Sequence, residues 1–259
     1  MVPTAMRLFF VALLLILGTA ARAADVTAPA PDPLAGAPEP LAEAIRQFGR
    51  DANRWAYTQH FVVTDGKGRT KEETLVRYDP SQPDDVQWTL LERDSRPATE
   101  SAIKRHRKEM ARRSKDRMSL GQLLELPRAV VAAETATVIT YEVPLRSADN
   151  QRLPPDKFQV FVHVNRAKPA LALIEVKLRS AWRVAGVVKV KSGDVRIEFA
   201  EVRPDFAPAV TRVTAGGSGS LLLVTMTRRS EIRRTDIKRV TPYNERLKVK
   251  LGPLQLLDF

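Results

Sequence analysis

Between Trp55 and Val63 the side chains alternate, with Trp55, Tyr57, Gln59, Phe61 and Val63 on one register and Ala56, Thr58, His60 and Val62 on the other. A two-residue period with one bulky register predicts a strand that buries one face. The turn signal Asp65-Gly66-Lys67-Gly68 follows, and Thr74, Val76 and Tyr78 return with the same alternation. After DPSQPDD, the segment VQWTLLE sets Val86, Trp88 and Leu90 on one face and completes a three-stranded antiparallel meander. Just before it, Leu41, Ala44, Ile45, Phe48 and Ala52 recur at helical spacing and predict a short helix with one apolar stripe.

From about Ala129 the pattern is strand after strand: RAVVAAE, TATVITYEVPL, KFQVFVHVN, ALIEVKLRS, VAGVVKVK, DVRIEFAEV, AVTRVTA, SLLLVTMTR and EIRRTDIKRV. The separators ADNQRLPPD, NRAKP, SGD, RPDFAP and GGSGS read as turns, the last as a flexible hairpin tip. None leaves room for a crossover helix, so neighbouring strands pair antiparallel. Twelve candidate strands are too many to stay flat, and such a sheet curls or closes. Its two faces differ: Ile174, Val176 and Leu178 alternate with Glu175, Lys177 and Arg179, and Val195, Ile197 and Phe199 with Arg196 and Glu198. One face is wet, with charges of both signs; the other faces a core or a cavity. The predicted class is mainly β with a few helices, an α+β chain built on one curved antiparallel sheet.

The N-terminus changes how the charge is read. The chain carries 42 Lys and Arg against 30 Asp and Glu, a formal +12. The densest basic segment is KRHRKEMARRSKDR, on a predicted helix whose apolar positions, Ile103 and Met110, lie one heptad apart. Such clustering suits nucleic acid. However, from Met6 the sequence MRLFFVALLLILGTAARA has one Arg, an apolar run from Leu8 to Leu17 and the small-x-small triplet Ala21-Arg22-Ala23. This predicts a secretory signal over residues 1–23, cleaved after Ala23. The run falls short of the ~20 residues that span a bilayer as a helix. The expected location is the periplasm of a Gram-negative cell, with no nucleic-acid partner. The sequence has no Cys, which excludes lipid modification at a cysteine and disulfide bonds alike. Residues 24–40, rich in Pro and Ala, read as a disordered linker, and 41–259 as a single domain with a basic helical insertion near 98–125.

Candidate chemistry is sparse. His60 and His163 sit on polar-alternate strand positions and His106 lies inside the basic run, which is not metal-ligand spacing. The GGSGS segment lacks the final Gly of G-x-S-x-G and joins two strands, so Ser218 is not a nucleophile elbow. No catalytic residue, metal or cofactor is expected, and the chain is read as a non-enzyme. Phe259 ends an alternation through Leu247, Val249, Leu251 and Leu257, which raises an outer-membrane β-barrel as a minor alternative. Gly252-Pro253 interrupts that strand, and aromatics are only 6% of the chain, too few for aromatic girdles.

The order of elements, with LAEAIRQF leading into WAYTQHFVV, then YDPSQPDDVQWTLL, then VVKVKSGDVRIEFAEV before GGSGS and EIRRTDIKRV, resembles the LolA-like periplasmic lipoprotein-carrier superfamily over roughly residues 40 to 240. The segment WTLLERDSRPATESAIKRHRKE is similar to stretches of uncharacterised exported bacterial proteins of that type. The resemblance implies an unclosed barrel with helices as a lid, and a role in binding or carrying a lipid, acyl chain or lipoprotein-like amphipath. The concave face expected to hold it comprises Trp55, Tyr57, Phe61, Trp88, Leu90, Val160, Ile174, Val176, Val188, Val190, Ile197 and Phe199. The alternative is an envelope interaction protein in which Lys104, Arg105, Arg107, Lys108, Arg112, Arg113, Lys115 and Arg117 contact an anionic membrane surface or a protein partner.

Overall fold

The computed structural model describes residues 32–115, 119–147, 154–184, 188–221 and 224–246. The leader, most of the linker and the terminal segment from residue 247 to Phe259, with the minor barrel alternative's last strand, lie outside them. Helix α1 (Glu39–Asp51) has Pro40 at its start, where a missing N–H costs nothing, and buries Leu41, Ala42, Ala44, Ile45 and Phe48. It begins inside the stretch whose composition reads as linker. The turn before it passes through Gly36 at φ 79° beside Pro127, and Pro33 lies against Gly121, so these residues lean on the fold.

Strands β1 (Trp55–Asp65), β2 (Thr70–Tyr78), β3 (Trp88–Arg93) and the short β4 (Arg96–Pro97) form the meander. Helices α2 (Glu100–Lys115) and α3 (Leu120–Leu123) follow, α3 opened by a capping box between Ser119 and Gln122. Then come β5 (Val130–Glu134), β6 (Val138–Glu142), β7 (Phe158–Asn165), β8 (Leu171–Leu178), β9 (Trp182–Val184), β10 (Val188–Ala200), β11 (Ala209–Leu221), β12 (Val224–Arg239) and a terminal turn of helix, α4 (Tyr243–Arg246). All pair antiparallel in one 12-stranded sheet, ordered β4-β3-β2-β1-β12-β11-β10-β8-β7-β6-β5, with β9 beside β10. The ends β4 and β5 do not meet, so the sheet is unclosed.

Two of the predicted turns are strand interior. Ser192-Gly193-Asp194 continues β10, pairing with Ser218, Gly217 and Gly216 of β11 on one side. The GGSGS segment lies within the C-terminal half of β11, paired with β10 and, from Gly216↔Arg229 to Ser220↔Thr225, with β12. The chain reverses instead between Leu221 and Val224, which are paired with each other. Local composition fails here because the cross-strand approach is tight. A Cβ at Gly219 would stand 2.8 Å from the Lys189 carbonyl oxygen, and the Ser192 and Ser218 hydroxyls share a 2.7 Å hydrogen bond. Glycine and serine are required there for packing, not for turning.

The outer face is an ion-pair lattice. Arg212 and Arg233 share Glu231 at 2.8 and 2.5 Å, and Arg196 bridges Glu175 and Glu198 at 3.2 and 3.1 Å. A transmembrane barrel needs a closed sheet with an apolar exterior. Over the described residues this sheet is open, charged outside and apolar inside, unlike such a barrel.

Two apolar clusters fill the inner face. The larger joins α1 and the α3 region, through Leu41, Ile45, Phe48, Leu120 and Leu126, to Tyr141, Val160, Val162, Ile174, Val176, Ile197 and Val213. The smaller gathers Trp55, Tyr57, Val76, Tyr78, Trp88 and Leu90, with Ala98, Ala102, Ile103 and Met110 packed over them from α2 and its approach.

Candidate functional site: the concave face beneath the basic helix

The smaller cluster is built on adjacent strands. Register pairs Tyr57 with Tyr78 and Tyr78 with Trp88, so three aromatic rings stand side by side on one face. Tyr78 and Trp88 have ring centroids 4.4 Å apart and Tyr57 and Tyr78 5.1 Å, while Tyr57 meets Trp88 edge-on at 6.3 Å. The first two pairs are tilted and the third is T-shaped. Helix α2 lies over this floor through Ala102, Ile103 and Met110, positions that share one helical face.

The same face of α2 turns Arg107 inward. Its Nε donates to the Trp88 carbonyl at 3.3 Å and Nη2 to Thr89 Oγ1 at 3.4 Å, so it anchors the helix to β3 and does not face an outside surface as expected. Lys104, Arg105, Lys108 and Arg112 are exposed. Arg113 and Lys115 lie on the helix, but their side chains are outside the described set, as is all of Arg117.

The predicted concave residues are brought together in two groups. Trp55, Tyr57, Trp88 and Leu90 form the aromatic floor, whereas Val160, Ile174, Val176 and Ile197 belong to the larger core, with Phe61 and Phe199 packed against it. Val190 is buried at the β10 end, while Val188 is paired on β10 with its side chain outside the described set. The face is packed rather than hollow. Where the clusters adjoin, a narrow cleft of about 20 Å³, room for one water, is lined by Phe48, Ala52, Trp55, Tyr57, Ala209, Val210, Arg234 and Ile237.

Arg234 is the site residue that sequence reasoning missed. Strand alternation puts Ile232 and Arg234 on one face but Ile237 on the other. A bulge in the β1–β12 ladder between Ala56 and Thr58, with Asp236 at φ 48°, restores Ile237 to the same side. Arg234 is half-buried, 4.1 Å above the Tyr57 ring, and its Nε donates to Gln59 Oε1 at 3.4 Å. The signal available was the Asp236 break in the alternation.

The histidines on the sheet lie on its outer face, His60 bonded to Glu73 at 2.6 Å and His163 to Thr140 and Glu175 at 3.0 and 3.3 Å. No group of three or more His, Cys, Asp or Glu placed to hold a metal occurs among the described residues. No described helix is long and apolar enough to cross a membrane.

The arrangement is that of a half-barrel whose inner face is plugged by one apolar and one basic helix. No protein-family model matches the chain, and no curated protein matches it. A solved structure of MucB in complex with MucA(peri) aligns with 81% of this chain and 99% of its own, at 11% identity and a TM-score of 0.20. That superposition is too loose to bear on what this chain does.

Proposed function

We propose that the protein is a non-enzymatic binding protein of the bacterial envelope, which takes the apolar chain of a lipid or acylated amphipath onto its concave face beneath α2. The observation that carries this reading is the mismatch between floor and cover. Tyr57, Tyr78 and Trp88 present a broad aromatic surface, and what packs on their cluster from α2 and its approach is Ala98, Ala102, Ile103 and Met110, in a segment otherwise dominated by charge. An acyl chain gains about 0.8 kcal/mol per buried CH₂, so one of ordinary length can replace that cover. Displacing α2 leaves the larger core, which α1 and α3 complete, untouched. The resemblance to LolA-like half-barrels with helical lids supports the same role, and the leader-like N-terminus supports an exported location. Titration with a pyrene-labelled fatty acid tests it, with saturable micromolar binding and quenching of Trp88 expected. Absence of saturable binding sinks the proposal and makes the whole face structural core.

A second reading has its own observation. The exposed row Lys104, Arg105, Lys108 and Arg112 has no carboxylate partner among the described residues, whereas many outer-face arginines of the sheet are paired. Such a row suits contact with anionic headgroups, each cation worth about 1 kcal/mol near such a surface. It is compatible with the first reading, since a lid that touches a membrane is well placed to collect its ligand there.

A further inference from the structure

We infer that the amphipath bound beneath α2 carries a negatively charged head and that Arg234 receives it, an inference that rests on the binding role proposed above. Neighbouring arginines have carboxylate partners: Arg239 has Asp51 at 2.9 Å, and Arg212 and Arg233 share Glu231. Among the described residues no carboxylate pairs with Arg234. Its guanidinium carries five N–H donors. One makes the long bond to Gln59, and the Tyr57 face offers the cation an attraction but not a charged acceptor.

A half-buried cation in an apolar-lined cleft, with no carboxylate partner among the described residues, keeps part of its desolvation cost uncompensated. A carboxylate or phosphate offers two oxygens to the guanidinium fork and removes that cost, with charge-assisted bonds about twice as strong as neutral ones. A cationic head is repelled at the same point. Tyr57 joins the two places, since it lines the Arg234 cleft and also belongs to the aromatic floor with Tyr78 and Trp88 that displacement of α2 would uncover. Head at Arg234 and chain across Tyr57 to Trp88 define a single-chain anionic amphipath.

The test is calorimetric titration of the purified protein with four dodecyl probes below their micelle concentrations: dodecanoate, dodecyl phosphate, dodecanol and dodecyltrimethylammonium. Both anions are expected to bind at least about tenfold more tightly than dodecanol, and the cation most weakly. Tighter phosphate binding assigns the site to phosphate-headed lipids, tighter carboxylate binding to free fatty acids. Arg234→Gln brings the anions to the dodecanol level and leaves dodecanol unchanged. Arg234→Lys, which keeps the charge without the fork, lowers both anion affinities severalfold while still favouring them over the cation. Equal affinity for all four heads in the wild type, or anion affinity unchanged in either variant, overturns the inference and leaves the binding role standing. Binding of none of the four overturns both.

Discussion

Arg239 and Asp51, near opposite ends of the described chain, meet at 2.9 Å and tie three elements together. Asp51 closes α1 and also accepts the Ala207 backbone N–H at 2.9 Å, from the loop between β10 and β11. Arg239 closes β12, with its guanidinium 3.5 Å over the Phe206 ring and 5.9 Å from Trp55. Both side chains are less than a fifth exposed, so the pair is neither a screened surface contact nor fully desolvated. Asp51→Ala strands a half-buried guanidinium and an amide, and is expected to cost about 2 kcal/mol, or roughly 4–8 °C of melting temperature. The double variant with Arg239→Met is expected to lose less than the sum of the singles; strict additivity in the thermal melts argues against coupling.

Ile197, expected from sequence to line a ligand cavity, is fully buried in the larger cluster. Ile197→Ala is therefore expected to destabilise by about 3 kcal/mol in urea unfolding, the range for a truncated core aliphatic. Val131, 52% exposed on the edge strand β5, is the control, with Val131→Ala changing stability by less than about 0.5 kcal/mol. Equal small effects would mean that Ile197 lines an open space.

Gly219 and Gly49 respond oppositely to a methyl group. Gly219→Ala drives a Cβ to 2.8 Å from the Lys189 carbonyl and is expected to cost about 1–3 kcal/mol. Gly49 is exposed on α1 with nothing within 4 Å of its Cβ position, so Gly49→Ala is expected to stabilise by about 0.5–1 kcal/mol. Paired denaturation curves check both signs.

Reversing Lys104, Arg105, Lys108 and Arg112 to Glu is expected to abolish adsorption to vesicles containing anionic lipid at low salt, without lowering the melting temperature. All four are exposed, so the fold does not depend on them. Co-sedimentation reads the adsorption; retention by the reversed variant would reduce this row to a solvated face.

Acid is expected to loosen the outer lattice. The Glu231 carboxyl is held below its ordinary range by its hydrogen bond with Arg233 and the charges of Arg212 and Arg233, against opposing burial. Hydrogen bonds from His60 and Ser95 do the same for Glu73. A carboxyl depressed in the folded state contributes fully above its unfolded value, about 4.3, and loses that contribution as pH falls through the folded value. The melting temperature is thus expected to stay level from about pH 7 to 5 and to decline below about 4. Glu231→Gln should start lower at neutral pH and decline less.

The single-face strands were legible because alternation reports burial directly: Ile174 and Val176 are inside and Glu175 and Lys177 outside, as the pattern requires. The α1 stripe was equally clear, with Leu41, Ala44, Ile45 and Phe48 all buried. Local composition misled at GGSGS, where small residues serve a close cross-strand approach that only the paired Lys189 makes visible. The partition of the inner face was hidden as well, because nothing in α2 announces that its few apolar positions reach Trp88 and Leu90 while α1 covers a separate core. Arg234 was missed because an arginine on a strand reads as solvent-facing until the bulge opposite Ala56 and Thr58 is known.

The pairing of β1 with β12 also sets the order of events in folding. From Trp55↔Arg239 to Asp65↔Arg228, the first long strand of the domain has the last as its partner on one side. Until residue 239 is available, that side of the meander is an unpaired edge, and Asp51 and Gln59 lack Arg239 and Arg234. A ladder joining the two ends of a chain carries a high loop-closure cost and a high contact order, which makes completion slow. The chain therefore cannot finish folding while its C-terminal part is still being made, and the β1 edge stays open until the last strand reaches it.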